Sequence, residues 1–427
     1  MIVFFGIVIL LACFSICVLW YNKDGILFFC NYARLGAISW LLAIGLYDLS
    51  LSNIYHPTLI INIVSLAVAL NFIGLSYAVP ADIDRIRTIY SEMVPDKKKS
   101  FSYIALAGVM LLGIISFVVN YKSKQLRLFL VNKGVVTNLR LSYFLNAMVV
   151  TAILFYYLFR TCKSKKGKLI YLFLCAFSTF LIGANMSRGH ILYILTGIGL
   201  YELVHFTAKK KRKKISLKLF IIIIVAIVAF IAIFGSVGQA RTAKIFVNGT
   251  NSMYEMKYNL PTGLTWIYIY LSSSLENISY TLSNQILSFS DYTYFQRLFY
   301  PFIKFAANLV GKGNAYVSYL GTFKTIDAVL VKQYGLNVST FLSDAYADFG
   351  YIGIIVYLFF YDLIGWFNHK ILVSGKIKNI YKGIIFSIIV QISLWSTFAN
   401  SVFAIAGFWV NVLIVLLLNY FGRIRSK

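Results

Sequence analysis

About eleven long apolar segments run the length of this 427-residue chain, and one late stretch, 238–340, interrupts them. In hydrocarbon every backbone N–H and C=O needs an internal partner, so such runs become spanning helices. With 60% hydrophobic and 13% charged residues and a mean hydropathy of +0.78, the chain is excluded from the disordered and ordinary water-soluble classes. The spacing predicts spans at 1–20, 25–48, 58–79, 101–120, 139–160, 169–185, 189–206, 217–237, 347–367, 380–398 and 401–420. The first lacks a basic leader and a small-residue cleavage site, and is expected to be a spanning helix, not a signal peptide.

Charge sets the expected topology. The formal net charge is +26, but 25 of the 40 Lys and Arg fall in alternate loops and the basic tail. This is the positive-inside pattern. It predicts an external N-terminus and a cytoplasmic C-terminus, and it argues against nucleic acid as the partner of the Lys209–Lys214 block. The chain is thereby divided into an N-terminal bundle (1–237), a large external loop (238–340) and a C-terminal bundle (341–427). The loop carries eight basic residues and four acids, Glu255, Glu276, Asp291 and Asp327, with many aromatics. Within it, 264–271 and 298–310 read as short interfacial helices. Five cysteines, none of them in this loop, give no disulfide framework, and Cys13 and Cys17 read as packing residues.

Charges inside apolar spans are costly, so they are functional candidates. Arg34 lies within the second span, either paired for structure or facing a polar cavity. Arg188 sits at an expected break between two helices, Ser187-Arg188-Gly189, where its planar fork suits phosphate oxygens. His190 beside it reads as structural. Arg241 and Lys244 follow the eighth span and are further candidates for a diphosphate. The densest signal is Asn337…Thr340…Asp344…Asp348-Phe-Gly350…Gly353. Its two aspartates share a helix face, where one can act as general base. Glu276 is a second candidate base. No HExxH, no GxxxxGK[ST] and no cysteine-rich ligand set occurs, so neither zinc nor ATP hydrolysis is expected.

The order of these features resembles the oligosaccharide repeat-unit polymerases, the Wzy-type polymerases of bacterial O-antigens, capsules and exopolysaccharides. The resemblance rests on the run of spans, Ser187-Arg188-Gly189, the late loop, and Asn337…Thr340…Asp348-Phe-Gly350…Gly353. It implies an all-α, polytopic transmembrane bundle of about eleven spans in the bacterial plasma membrane, a glycosyltransferase of the lipid-sugar class. Lipid-linked oligosaccharides on undecaprenyl diphosphate would be its substrates and membrane lipids its surroundings. A flippase and a chain-length regulator would be candidate partners, with no cofactor and no metal. In such a reaction Arg188, Arg241, Arg34 and Lys244 would meet the diphosphate, Asn337 and Thr340 the substrate, and Asp348, Asp344 or Glu276 would take the acceptor's proton. Two rivals share part of the pattern. One is a flippase or transporter of the lipid-linked unit. The other is a ligase-like transferase, expected to use a histidine in the external loop; His56, His190, His205 and His369 all lie outside it in sequence.

Overall fold

The computed structural model describes residues 2–79, 83–91, 100–122, 142–184, 188–208, 254–284, 287–320, 339–398 and 406–424, together with isolated positions 228, 231, 232, 235, 252, 334 and 336. Among these residues the chain is all helical. Its one β-type contact is an isolated bridge between Ser52 and Met256. Among the described residues four stretches are long and apolar enough to cross a bilayer: Ile2–Cys30, Leu59–Ala78, Phe341–Val373 and Asn379–Thr397. Shorter apolar helices cover Leu106–Val118, Ala147–Thr161 and Phe408–Phe421. Each expected span other than 217–237 falls on a helix. The 217–237 span and the Lys209–Lys214 block lie outside the described residues, apart from isolated positions in the former.

Two compact units cut across the three-part order read from the sequence. The first comprises Met1–Pro80, Arg212–Gly365 and Ser393–Ala404. It opens with α1 (Ile2–Asp24), a 3-10 segment (Gly25–Cys30) and α2 (Tyr32–Asp48). The expected second span is therefore divided. Gly25 at φ +61° turns the chain, and the Asn31 side chain then accepts from Ala33 N (2.8 Å) and Arg34 N (3.1 Å), capping a new helix start. α3 (Leu59–Ala78) packs along α2. Ser39 and Trp40 on α2 fasten the 393–398 segment, through Leu394 O (2.8 Å) and Ser396 Oγ (2.8 Å) respectively.

The second unit comprises Ala81–Lys211, Trp366–Ile392 and Ile405–Lys427. It holds α4 (Ile83–Ser91), α5 (Ser100–Lys122), α6 (Ser142–Thr161), α7 (Lys165–Ala184) and α8 (Arg188–Ala208). α6 packs against α5, α7 and α8, with Tyr90, Tyr157 and Tyr201 in a buried aromatic cluster. Arg160 closes its end of α6 by an ion pair to Glu202 on α8, at 2.7 Å.

The described residues of the interrupting stretch are largely helical, and part of them belongs to the bundle. α9 (Thr262–Asn284) packs on α2 and α3. The expected interfacial helix at 264–271 is thus corrected: it is one end of a 23-residue helix with a buried face. Its low hydropathy comes from Ser272, Ser273, Ser274, Glu276, Asn277, Ser279 and Thr281, all of which are buried. Local back-bonding lets such side chains enter a core: Ser272 Oγ donates to Tyr268 O (2.6 Å) and Thr281 Oγ1 to Asn277 O (3.1 Å). α10 (Tyr300–Leu309) and α11 (Gly313–Leu320) are short and present exposed apolar side chains, as expected for 298–310. α12 (Phe341–Val373) enters this unit as far as Gly365 and breaks at Phe349–Gly350. α13 (Asn379–Leu394) and α14 (Ala406–Ile424) close the chain.

Candidate functional site

Glu276 is buried on α9, within the first unit. Oε2 accepts from the Tyr47 hydroxyl (2.5 Å) at the end of α2 and from the His56 backbone N–H (2.8 Å). Oε1 lies 3.2 Å from His56 Nδ1. A carboxylate can only accept, so in this contact Nδ1 is the donor, and the neutral tautomer that fits it carries its lone pair on Nε2. The exposures divide the pair. The Glu276 side chain is 9% accessible and the His56 side chain 77%. A buried anion thus fixes the tautomer and tilt of an exposed imidazole, an arrangement suited to proton acceptance from a bound hydroxyl.

The loop carrying His56 is laid onto α9 by a series of bonds. Leu51 N–H donates to the Tyr268 hydroxyl (2.8 Å), Ser272 Oγ lies 3.0 Å from the Tyr55 hydroxyl, and Thr58 Oγ1 meets Ser279 Oγ (3.1 Å). Burial pushes the Tyr55 phenol well above its ordinary value, with Tyr268 and Glu276 adding to the rise and Ser272 opposing it. Pro57 restricts the His56 backbone to extended geometry. Beside Tyr47, Asp48 is fully buried and accepts from Asn62 Nδ2 on α3 (3.1 Å). The histidine is therefore brought to the large loop's own helix across 220 positions of sequence. Sequence reasoning left His56 out because no local pattern marks it except its place before a proline.

Asp348 occupies a different kind of place. Its carboxylate is fully buried and takes four donors: Thr293 Oγ1 (2.5 Å) and Arg297 N–H (3.1 Å) on Oδ1, Leu298 N–H (3.0 Å) and the Tyr357 hydroxyl (2.7 Å) on Oδ2. With its lone pairs so engaged, Asp348 anchors the 293–298 turn and has no site left for a substrate proton. The Asp-Phe-Gly motif is where α12 breaks. Gly350 has φ +61° and ψ −143°, and a Cβ there would stand 2.5 Å from the Tyr292 hydroxyl. At Gly353 a Cβ would meet Ala345 O at 1.8 Å, so the second glycine lets the broken helix pack on itself. The anchored turn is strained, with Tyr294 at φ +41° and Phe295 at φ +64°, values costly for bulky side chains. Phe295 and Phe349 then pack edge to face at 4.6 Å.

The other candidates separate. Asp344 lies half-buried in the first turn of α12, and Tyr357 is within electrostatic reach of both it and Asp348. Thr340 is buried and caps α12, accepting from Leu342 N–H at 3.1 Å. Arg34 is buried beside Asp24 (2.5 Å) with its guanidinium 5.3 Å from the Trp20 ring centre. Fourteen residues of α2 separate it from Asp48, a rise of about 21 Å. Of the two readings open for Arg34, this geometry is the structural pair. Arg188 is the first described residue of α8 in the second unit; the expected break at 185–187 and the side chains of Arg188 and His190 lie outside the described residues. Arg241, Lys244 and Asn337 lie wholly outside them. Among the described residues no group of three or more His, Cys, Asp or Glu is placed to hold a metal ion. No protein-family model, curated protein or solved structure matches the chain.

Proposed function

We propose that this protein is a membrane glycosyltransferase that polymerises oligosaccharide units carried on undecaprenyl diphosphate, on the outer face of a bacterial plasma membrane. The observation that carries the reading is the His56–Glu276 pair, an exposed imidazole on a buried carboxylate within an apolar helical unit. In the proposed step the acceptor sugar's hydroxyl attacks the anomeric carbon of the donor, and its proton passes to His56 Nε2. The bond from the anomeric carbon to the diphosphate breaks, and undecaprenyl diphosphate leaves with the electron pair. Glu276 stabilises the imidazolium so formed, and Tyr47 holds Glu276. General-base action of this kind contributes about 10²–10⁴-fold. Tethering both substrates to one membrane supplies part of the rest by proximity. Positive side chains are needed at the leaving diphosphate, and Arg241 and Lys244 remain proposals for that role.

A second reading gains support from the same pair. A ligase-like transferase, which would hand the glycan to a different lipid acceptor, was disfavoured because no histidine lies in the large loop; His56 nevertheless contacts the loop's helix. Incubating the purified protein with an undecaprenyl-diphosphate-linked repeat unit alone separates the readings. A ladder of products supports polymerisation. Transfer only upon addition of a second lipid acceptor supports ligation. No transfer, with movement of the unit across sealed vesicles, supports the transporter and sinks both transferase readings.

A further inference from the structure

The strained turn held by Asp348 carries a cation that nothing in the proton-transfer scheme uses. Arg297 is half-buried, and its Nε is fully buried yet makes no hydrogen bond among the described residues. Its guanidinium meets no carboxylate within ion-pair distance there. The adjacent Gln296 Oε1 is likewise buried without a donor. A buried guanidinium N–H is costly unless an acceptor answers it. Around it stand two phenols. Tyr316 on α11 donates to Gln296 O (3.5 Å), and its ring stacks with that of Tyr300, centre to centre 6.1 Å. Burial pushes the Tyr316 phenol up to about 12, with Tyr300 and Asp348 adding to the rise and the Arg297 charge opposing it. Lys304 Nζ donates to the Tyr300 hydroxyl at 2.9 Å, bringing a second cation to the same group. Beyond this polar cluster α10 turns outward the side chains of Phe302, Phe305 and Leu309, the last 72% exposed. Two cations with no carboxylate at ion-pair distance among the described residues, on the turn and helix that carry an exposed apolar face, match a ligand with an anionic head and a long hydrocarbon tail.

We infer that Arg297 and Lys304 seat the phosphate head of a polyprenyl diphosphate, whose chain lies along Phe302, Phe305 and Leu309. The inference rests on the glycosyl-transfer reading and places the leaving group's head on the turn that Asp348 holds. Arg297 is the principal contact, because its fork can bind two phosphate oxygens at once. Lys304 adds charge from the next turn of chain.

The test is binding to the full-length protein in nanodiscs of zwitterionic lipid, using three probes: undecaprenyl diphosphate, inorganic diphosphate and phosphatidylglycerol. Undecaprenyl diphosphate should bind tightest. Arg297→Ala should weaken it by about ten- to hundredfold, the loss expected of charge-assisted hydrogen bonds, and Arg297→Lys should recover part of that loss. Lys304→Ala should give a smaller loss, and because Lys304 lies outside the strained turn it guards against misfolding of the arginine variant. Equal binding by wild type and by both alanine variants overturns the seat while leaving the transferase reading intact. Phosphatidylglycerol binding as tightly as undecaprenyl diphosphate also overturns it, since the cluster would then be an ordinary headgroup contact. Wild type that fails to bind undecaprenyl diphosphate overturns the seat and the transferase reading together.

Discussion

Glu276 and Asp348 are both buried carboxylates of the first unit, and their surroundings give them opposite duties. Asp348 is met by four donors, two of them backbone N–H groups of one turn, and every contact is internal. Glu276 is also met by internal donors, but one of its partners is an imidazole whose far side faces outward. The difference shows that burial alone does not mark a catalytic acid. What matters is whether the hydrogen-bond shell is closed or leads to a group that a substrate can reach.

The comparison can be broken most sharply at the dyad. Glu276→Gln and His56→Ala should each lower the polymerisation rate by about 10²–10⁴-fold while the purified protein keeps its melting temperature within a few degrees. Rate and melting curve measured on the same preparation check this, and wild-type rates in either variant would remove Glu276 and His56 from the reaction. Asp348→Ala should do the reverse. It leaves buried donors unanswered, at about 1–3 kcal/mol each, so the folded fraction should fall steeply while the rate per folded molecule changes little. A normal melting temperature with no activity would instead return Asp348 to the chemistry. Gly350→Ala should cost about 1–3 kcal/mol of stability, since it combines a left-handed φ with a collision at the Tyr292 hydroxyl, and a thermal-shift assay in detergent reads it. The mildest effect is expected from Tyr47→Phe. Removing one donor of three from Glu276 should cost about 1 kcal/mol, seen as roughly a fivefold slower rate.

The helices were largely legible because a bilayer demands long apolar runs, and α1, α3, α5–α8 and α12–α14 all fall where the hydropathy put them. α9 was hidden by its own chemistry. Ser272-Ser-Ser-Leu-Glu276-Asn277 reads as a solvated loop until one sees that hydroxyls bond back to their own helix and the acid is answered by α2. The site was legible only in part. The i, i+4 spacing of Asp344 and Asp348 suggested a carboxylate pair, but three of the four partners of Asp348 come from some fifty residues earlier. Glu276 was found as the lone acid of its segment, whereas His56 was missed because a contact spanning 220 positions leaves no trace in local pattern. Arg297 was missed too. Its signal was present in the sequence, a single cation within Tyr292-Thr-Tyr-Phe-Gln-Arg297-Leu-Phe-Tyr300, and was lost in a loop already rich in both types.

The shell around Asp348 also constrains how such a chain can drift. Tyr357 gives its hydroxyl to that one side chain, and Thr293 shares its own between Asp348 and the Ala347 carbonyl, from opposite directions along the sequence. Replacing the acid alone takes the acceptor from the Tyr357 hydroxyl and from two backbone amides, and replacing either hydroxyl alone leaves the buried acid a donor short. Inheritance should therefore treat Thr293, Asp348 and Tyr357 as one character: descendants keep the trio, or exchange it whole for an apolar plug.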